Sequence, residues 1–370
     1  MYEGNGSKKF ALDRGCFTAS GKVEASVATA NAMLFRARGT SFGKKLDYTD
    51  NALTKRDIAI LQFLAATELI ESDLWQQYDE VGGATKGPQN NYQLALQFLG
   101  GSSSQYISVN AISEIEHSTF LKTFLESEGV EPINLDAFRI LRGSTAAGAQ
   151  NMGRLTNLMH LNINTNRYIR YGSAERPRLT TASPQAFQIV NSPAIPRTDS
   201  DFDDTARIQA IANTAAFHFR YIEEGVSSLY TSLSQKVKRA KVLKITLGIG
   251  GQEIAHLLEW IEFASSAFQC SPFSFGNLDP SITEQGMNLS DPCGFALGPV
   301  FKAKLQFSSR DGFIHQGVPI SPVISSDHRF SSAVATINSF IDNGLFFGQS
   351  AKFLRTLMTL SEEADAAFCS

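Results

Sequence analysis

The chain has 370 residues, 43% hydrophobic and 19% charged, enough to bury a substantial core in one large domain or two ordinary ones. A formal net charge of -3 with no run of like charges supplies no basic field, which argues against nucleic acid and anionic membranes as partners. Four cysteines, Cys16, Cys270, Cys293 and Cys369, stand far apart without a C-x-x-C arrangement, so neither a zinc ribbon nor a dithiol motif is present. A Cys270 to Cys293 disulfide and free thiols both stay open on spacing alone.

The opening residues carry two lysines and then a short apolar stretch broken by Asp13 and Arg14, too weak for a signal peptide. No stretch reaches the roughly 18 apolar residues of a membrane span. A soluble, cytoplasmic protein is the expectation, export requiring a leader outside this sequence. Residues 1–51 lack periodicity and read as an arm lying on the body.

Thr54, with Asp57 three residues later, opens a helix that carries Glu68 and Glu71 to a stop at Gly82-Gly83. A polar loop and a short helical piece ending at Gly100-Gly101 follow. Ile107, Val109, Ile112, Ile115, Phe120, Leu121 and Phe124 then mark a second long helix over about 105–127, ended by Gly129. Residues 130–198, with Arg176-Pro-Arg, Ser183-Pro, Ser192-Pro and Ile195-Pro, read as a long irregular connection. Acidic residues from Asp199 to Asp204 start a third helix over about 206–233, bearing Glu223 and Glu224.

The basic stretch 236–241 marks a turn into a fourth helix that continues to about Ala267. Its Gly248, Gly250 and Gly251 lie within about a turn and a half of Glu253, where small residues let helices approach closely or leave room for a ligand. Phe, Pro, Ser and Gly dominate 271–330, followed by helical patterns at about 330–342 and 349–367. The organisation expected is an arm over 1–51, four helices over 52–270 and a C-terminal extension over 271–370 packed on them.

Two of these helices carry the same short pattern, Glu114-Ile-Glu-His117 and Glu253-Ile-Ala-His256, and each follows a helix with its own glutamates. Positions i and i+3 lie about one turn apart on one helix face, so each Glu-x-x-His pair can point into one site. With six histidines in the chain, roughly 0.3 such pairs are expected by chance, which makes two unusual. Both pairs also sit among apolar residues, where an unpaired charge is costly. A Glu from each of two helices and a Glu-x-x-His from each of two others is the ligand set of di-metal carboxylate bundles.

Whole helices carry a resemblance as well. Asp57-Ile-Ala-Ile-Leu-Gln-Phe-Leu-Ala-Ala-Thr-Glu-Leu-Ile-Glu71, Glu114-Ile-Glu-His-Ser-Thr-Phe-Leu121, Tyr221-Ile-Glu-Glu-Gly-Val-Ser-Ser-Leu-Tyr230 and Gly251-Gln-Glu-Ile-Ala-His256 resemble, in order, the four helices of the ferritin-like family that includes plant desiccation-related and fungal stress-related proteins. The resemblance covers about residues 52–270. It implies an all-α ferritin-like four-helix bundle with a long crossover connection, and the metal ligands Glu68, Glu114, His117, Glu223, Glu253 and His256. Small neighbours at Ala65, Ala66 and Thr67 favour Glu68 over Glu71; a face shared with Ser227 and Tyr230 favours Glu223 over Glu224.

Tyr230 is a candidate redox tyrosine and His218 a candidate proton donor, with Tyr106 and Trp75 as further groups around the metals, although aromatic residues on such helices are mostly core. The function expected is a di-iron or di-manganese oxidoreductase acting with dioxygen or peroxide on a small-molecule substrate. Iron handling, or a stress-related binding role without turnover, is the alternative. A halogenase is disfavoured, because halide needs a coordination position and all four carboxylates are kept. A homo-oligomer is compatible with such a bundle.

Overall fold

The computed structural model describes residues 52–84, 88–164, 188–268 and 332–366, together with two isolated pairs of two-residue strands, β1 (Ala11–Leu12) with β2 (Gly15–Cys16) and β7 (Ile314–His315) with β8 (Val318–Pro319). The expectations for the arm and for most of 271–331 therefore lie outside the described residues, as do Cys270, Cys293 and Cys369. The described part is mostly helical, with only two-stranded sheets.

Four long helices dominate: α1 (Lys55–Gly82), α3 (Ser103–Ser127), α4 (Thr205–Ser234) and α5 (Ala240–Phe268), with the short α2 (Asn91–Leu99) between the first two. Their ends follow local chemistry. Thr54 and Asp57 form a reciprocal capping box at α1, and Asn90 with Gln93 does the same at α2. The Asp204 carboxylate caps α4 through Ala206 N and Arg207 N. Gly129, at φ +74°, ends α3 in the left-handed conformation that glycine adopts without strain, and Val130 N bonds back to Leu125 O at 2.9 Å.

Cross-helix contacts fix the directions. On α1 and α3, Ser72 meets Ser118 and Asp79 meets Ser108, so these helices are antiparallel. On α4 and α5, Ser234 meets Thr246 while Phe219 packs on Trp260, again antiparallel. Between the pairs, Tyr230 bonds Glu68 and His218 bonds Tyr78, so α1 opposes α4. The four helices thus run up, down, down, up, and α3 and α4 are parallel. Parallel neighbours in sequence need a return connection, which accounts for the long segment between them.

That connection forms β3 (Leu141–Arg142) paired antiparallel with β4 (Gly153–Arg154), and β5 (Leu161–Asn164) paired with β6 (Gln188–Ser192). One buried carboxylate anchors it to α1. Asp73 accepts from Leu155 N at 3.0 Å, Thr156 N at 2.9 Å and Thr156 Oγ1 at 2.7 Å, and pairs with Arg139 at 2.6 Å. Each bond meets a charge that would otherwise be buried unpaired.

The last two helices, α6 (Ala333–Asp342) and α7 (Ala351–Ala366), pack on the outer face of this assembly, α7 on α1 and α6 on α4. Phe353 and Leu357 of α7 are fully buried, and Tyr221 Oη donates to Ser339 O at 2.7 Å. They share one continuous apolar core with the four long helices. No described helix is long and apolar enough to cross a membrane.

Candidate metal centre

Six side chains from the four long helices converge in the interior. Glu68, Glu114, Glu223 and Glu253 are all 0% exposed, and His117 and His256 are buried beside them. His117 Nδ1 lies 3.3 Å from Glu68 Oε2, 3.1 Å from Glu114 Oε2 and 3.1 Å from Glu253 Oε1. His256 Nδ1 lies 3.2 Å from Glu114 Oε1, 3.7 Å from Glu223 Oε2 and 3.8 Å from Glu253 Oε2. The two imidazole rings are 6.3 Å apart.

This gives two overlapping groups that could hold a metal ion. Glu68, Glu114, His117 and Glu253 form one, and Glu114, Glu223, Glu253 and His256 the other, with ligand atoms in each within 4.8 Å of one another. Glu114 and Glu253 belong to both, each turning one oxygen toward either histidine. Glu68 and Glu223 sit at opposite ends.

The ligand atoms are aimed inward at one another. Apart from these carboxylate–imidazole contacts, Glu68 Oε2, Glu114 Oε1, Glu223 Oε2, both Glu253 oxygens and His256 Nδ1 have no hydrogen-bond partner among the described residues. The opposite oxygens of the end carboxylates are held by the protein. Tyr230 Oη donates to Glu68 Oε1, and Trp75 Nε1 and Asn110 Nδ2 both donate to Glu223 Oε1 at 3.1 Å. His117 Nε2 bonds Gln252 Oε1 at 2.9 Å, and Gln252 Nε2 reaches Ser113 Oγ at 3.0 Å, which leaves Nδ1 to face the centre. Buried polar atoms are normally paired beyond their own cluster, so inward carboxylates and imidazoles that meet only one another, backed by outward hydrogen bonds, fit a cation. Four carboxylates would balance two divalent ions.

Without a cation the protons redistribute. Burial pushes the Glu68 carboxyl up to about 8 despite its bond to His117, and burial likewise drives Glu223 well above the carboxylate range. For Glu253, burial is outweighed by bonds to His117 and His256, which hold it down to about 2. Burial would lower both histidines, but bonds to Glu114, Glu253 and Glu68 raise His117, and bonds to Glu114, Glu223 and Glu253 raise His256, far above the imidazole range.

The neighbouring glutamates separate. Glu71, one turn from Glu68, is fully buried with neither oxygen hydrogen-bonded among the described residues, and burial raises its pKa well above normal. It belongs to neither group that could hold a metal ion. Glu224 turns toward Arg220, 3.9 Å away, while its neighbour Glu223 faces His256. His218 is also placed elsewhere: its Nδ1 bonds Tyr78 Oη at 2.7 Å, and burial pulls its pKa down to about 3, so it stays a neutral imidazole. Tyr230 touches the cluster directly, Trp75 through its indole N–H.

Asn110, Gln252 and Ser72, whose Oγ donates to Glu114 O at 2.7 Å, escape the sequence reading. Asn110 had a usable pattern, because Asn110, Ser113, Glu114, His117 and Ser118 form a polar stripe at helical spacing. Gln252 had none. Comparison with protein-family models, with curated proteins and with solved structures returns no match.

Proposed function

We propose that the protein is a ferritin-like four-helix bundle holding two iron ions, or two manganese ions, and acting as an oxidoreductase on dioxygen or peroxide. The up, down, down, up order with one long crossover supports the fold, since ferritin-like bundles have that connectivity. The observation that carries the function is the set of inward carboxylate and imidazole atoms that meet only one another, two of the carboxylates being shared between the two groups.

Bound iron would supply redox chemistry and Lewis acidity toward an oxygen ligand. This chain's residues do the rest. Glu114 and Glu253 would bridge, Glu68 with His117 would complete one position, and Glu223 with His256 the other. Tyr230, Trp75 and Asn110 fix the end carboxylates so that little reorientation is needed on binding. A layer of Trp75, Phe219 and Trp260 keeps water from the Glu223 side, which protects reactive species from being quenched.

Metal analysis of protein purified without added metal tests the reading. About two equivalents of iron or manganese per chain are expected. His117→Ala and Glu253→Ala should lower metal content and oxygen or peroxide consumption together, in a protein that stays folded on its own apolar core. Oxygen uptake with ferrous ion as the sole reductant would move the assignment to iron oxidation. Absence of metal would favour a binding role and remove the proposal.

A further inference from the structure

An unbroken line of oxidisable rings leads from the metal centre to the protein surface. Trp75 of α1 bonds Glu223 through its indole N–H at 3.1 Å. Its ring stacks on Trp260 of α5, 5.3 Å between centroids at 23°. Trp260 meets Tyr106 of α3 edge to face at 6.4 Å. Trp75 and Trp260 are 0% exposed, whereas Tyr106 is 37% exposed. Three helices thus contribute one ring each, in the order buried, buried, exposed.

We infer that Trp75, Trp260 and Tyr106 form an electron relay between the metal centre and a one-electron reductant in solution. The inference rests on the di-metal reading. The chemistry of the three rings is what a relay needs. Indole and phenol lose an electron far more readily than the benzene ring of Phe219 and Phe263, which pack beside them. Electron transfer slows steeply with distance, so steps between touching rings outrun a single jump through the protein.

The steps balance. Trp75 gives one electron to an oxidised metal ion, which is reduced by one, and the indole becomes a radical cation with its N–H bond intact. Trp260 returns Trp75 to neutrality by giving up one electron, and Tyr106 does the same for Trp260. Tyr106 then releases its phenolic proton to water and is a neutral radical. A hydrogen-atom donor of the ascorbate class restores the phenol, losing one electron and one proton. The net result is one metal ion reduced and one ascorbate oxidised.

An open cleft to the metals would make the relay unnecessary, but Glu223 and the rings on its side are fully buried. A reductant in solution cannot touch the centre through that buried side, while it can touch Tyr106.

The experiment compares full-length, iron-loaded wild type with Trp260→Phe and Tyr106→Phe. Both substitutions keep a ring in place, and melting temperature and iron content check that fold and site survive. Reduction of the oxidised centre by ascorbate should slow by about tenfold or more in Trp260→Phe. Freeze-quench electron paramagnetic resonance after peroxide addition should show a tyrosyl radical in wild type, and an indole radical in its place in Tyr106→Phe. Should Trp260→Phe misfold, Trp260→Tyr, which retains an oxidisable ring, should keep the tyrosyl radical at position 106. Equal reduction rates and the same radical in all iron-loaded variants would overturn the relay while leaving the metal reading intact. A wild type that binds no metal would overturn both.

Discussion

Tyr230 on α4 donates its phenolic hydrogen bond to Glu68 on α1, and that bond holds one oxygen of the carboxylate away from the centre while the other faces His117. The tyrosine therefore orients one carboxylate of the candidate donor set. Tyr230→Phe removes the hydroxyl and little volume, leaving Glu68 free to rotate. Metal affinity at the Glu68 and His117 position should fall by about 10-fold to 100-fold, the usual cost of losing a group that orients a ligand. Competition titration with cobalt or manganese measures it, and an unaltered affinity would mean that Glu68 does not bind metal.

Glu68 and Glu71 differ by one helical turn but make opposite predictions. Glu68→Gln removes a charge from the metal-holding group and should lower metal content. Glu71→Gln replaces a carboxyl that burial already keeps protonated and that belongs to neither group, so metal content should be retained. Equal loss of metal in both variants would show that Glu71 also serves as a ligand.

Protonation sets a pH dependence that metal should reverse. Glu68, at about 8 when folded, binds its proton more tightly than an unfolded glutamate at 4.5, so its contribution is fully present below 4.5 and is lost as pH rises through 8. His117 and His256, raised from 6.5, act in the same direction above 6.5. Glu253, held down to about 2, acts oppositely, and its contribution is lost only as pH falls from 4.5 through 2. Metal-free protein should therefore melt at a lower temperature at pH 8 than at pH 5. Loaded protein should gain on the same change, because binding displaces these protons. Melting curves of both forms decide it, and parallel trends would refute it.

Much of this architecture was written in the sequence. The helix limits followed from Thr54, Asp57, Gly83, Gly129 and Asp204, because caps act through neighbours in the chain. The two Glu-x-x-His pairs were equally local. What misled was α3, where apolar Val109, Ile112 and Phe120 are 53%, 57% and 49% exposed while Asn110, Glu114 and His117 face inward. A helix that lines a polar site inverts the usual pattern, so hydrophobic periodicity points to the wrong face. The aromatic line through Trp75, Trp260 and Tyr106 was not legible, because its neighbours come from three helices and meet only once the helices are packed.

The glycines of α5 provide the last prediction, since the sequence treated Gly248, Gly250 and Gly251 alike and the structure does not. A Cβ on Gly250 would lie 2.8 Å from Tyr230 Cβ, whereas Gly248 and Gly251 have nothing within 4 Å. Only Gly250 permits close approach of α5 to α4, at the residue that holds Glu68. Gly250→Ala must push the helices apart or shift Tyr230, and should destabilise by about 1–3 kcal/mol, the range for overpacking. It should also weaken metal binding, because Glu253 lies three residues along the displaced helix. Gly248→Ala adds a methyl group to open space in a helix and should stabilise by about 0.5–1 kcal/mol through the higher helix propensity of alanine. Denaturant melts of the two variants, with metal content measured alongside, test the pair. If both move stability in the same direction, the contact between Gly250 and Tyr230 does not set the helix spacing.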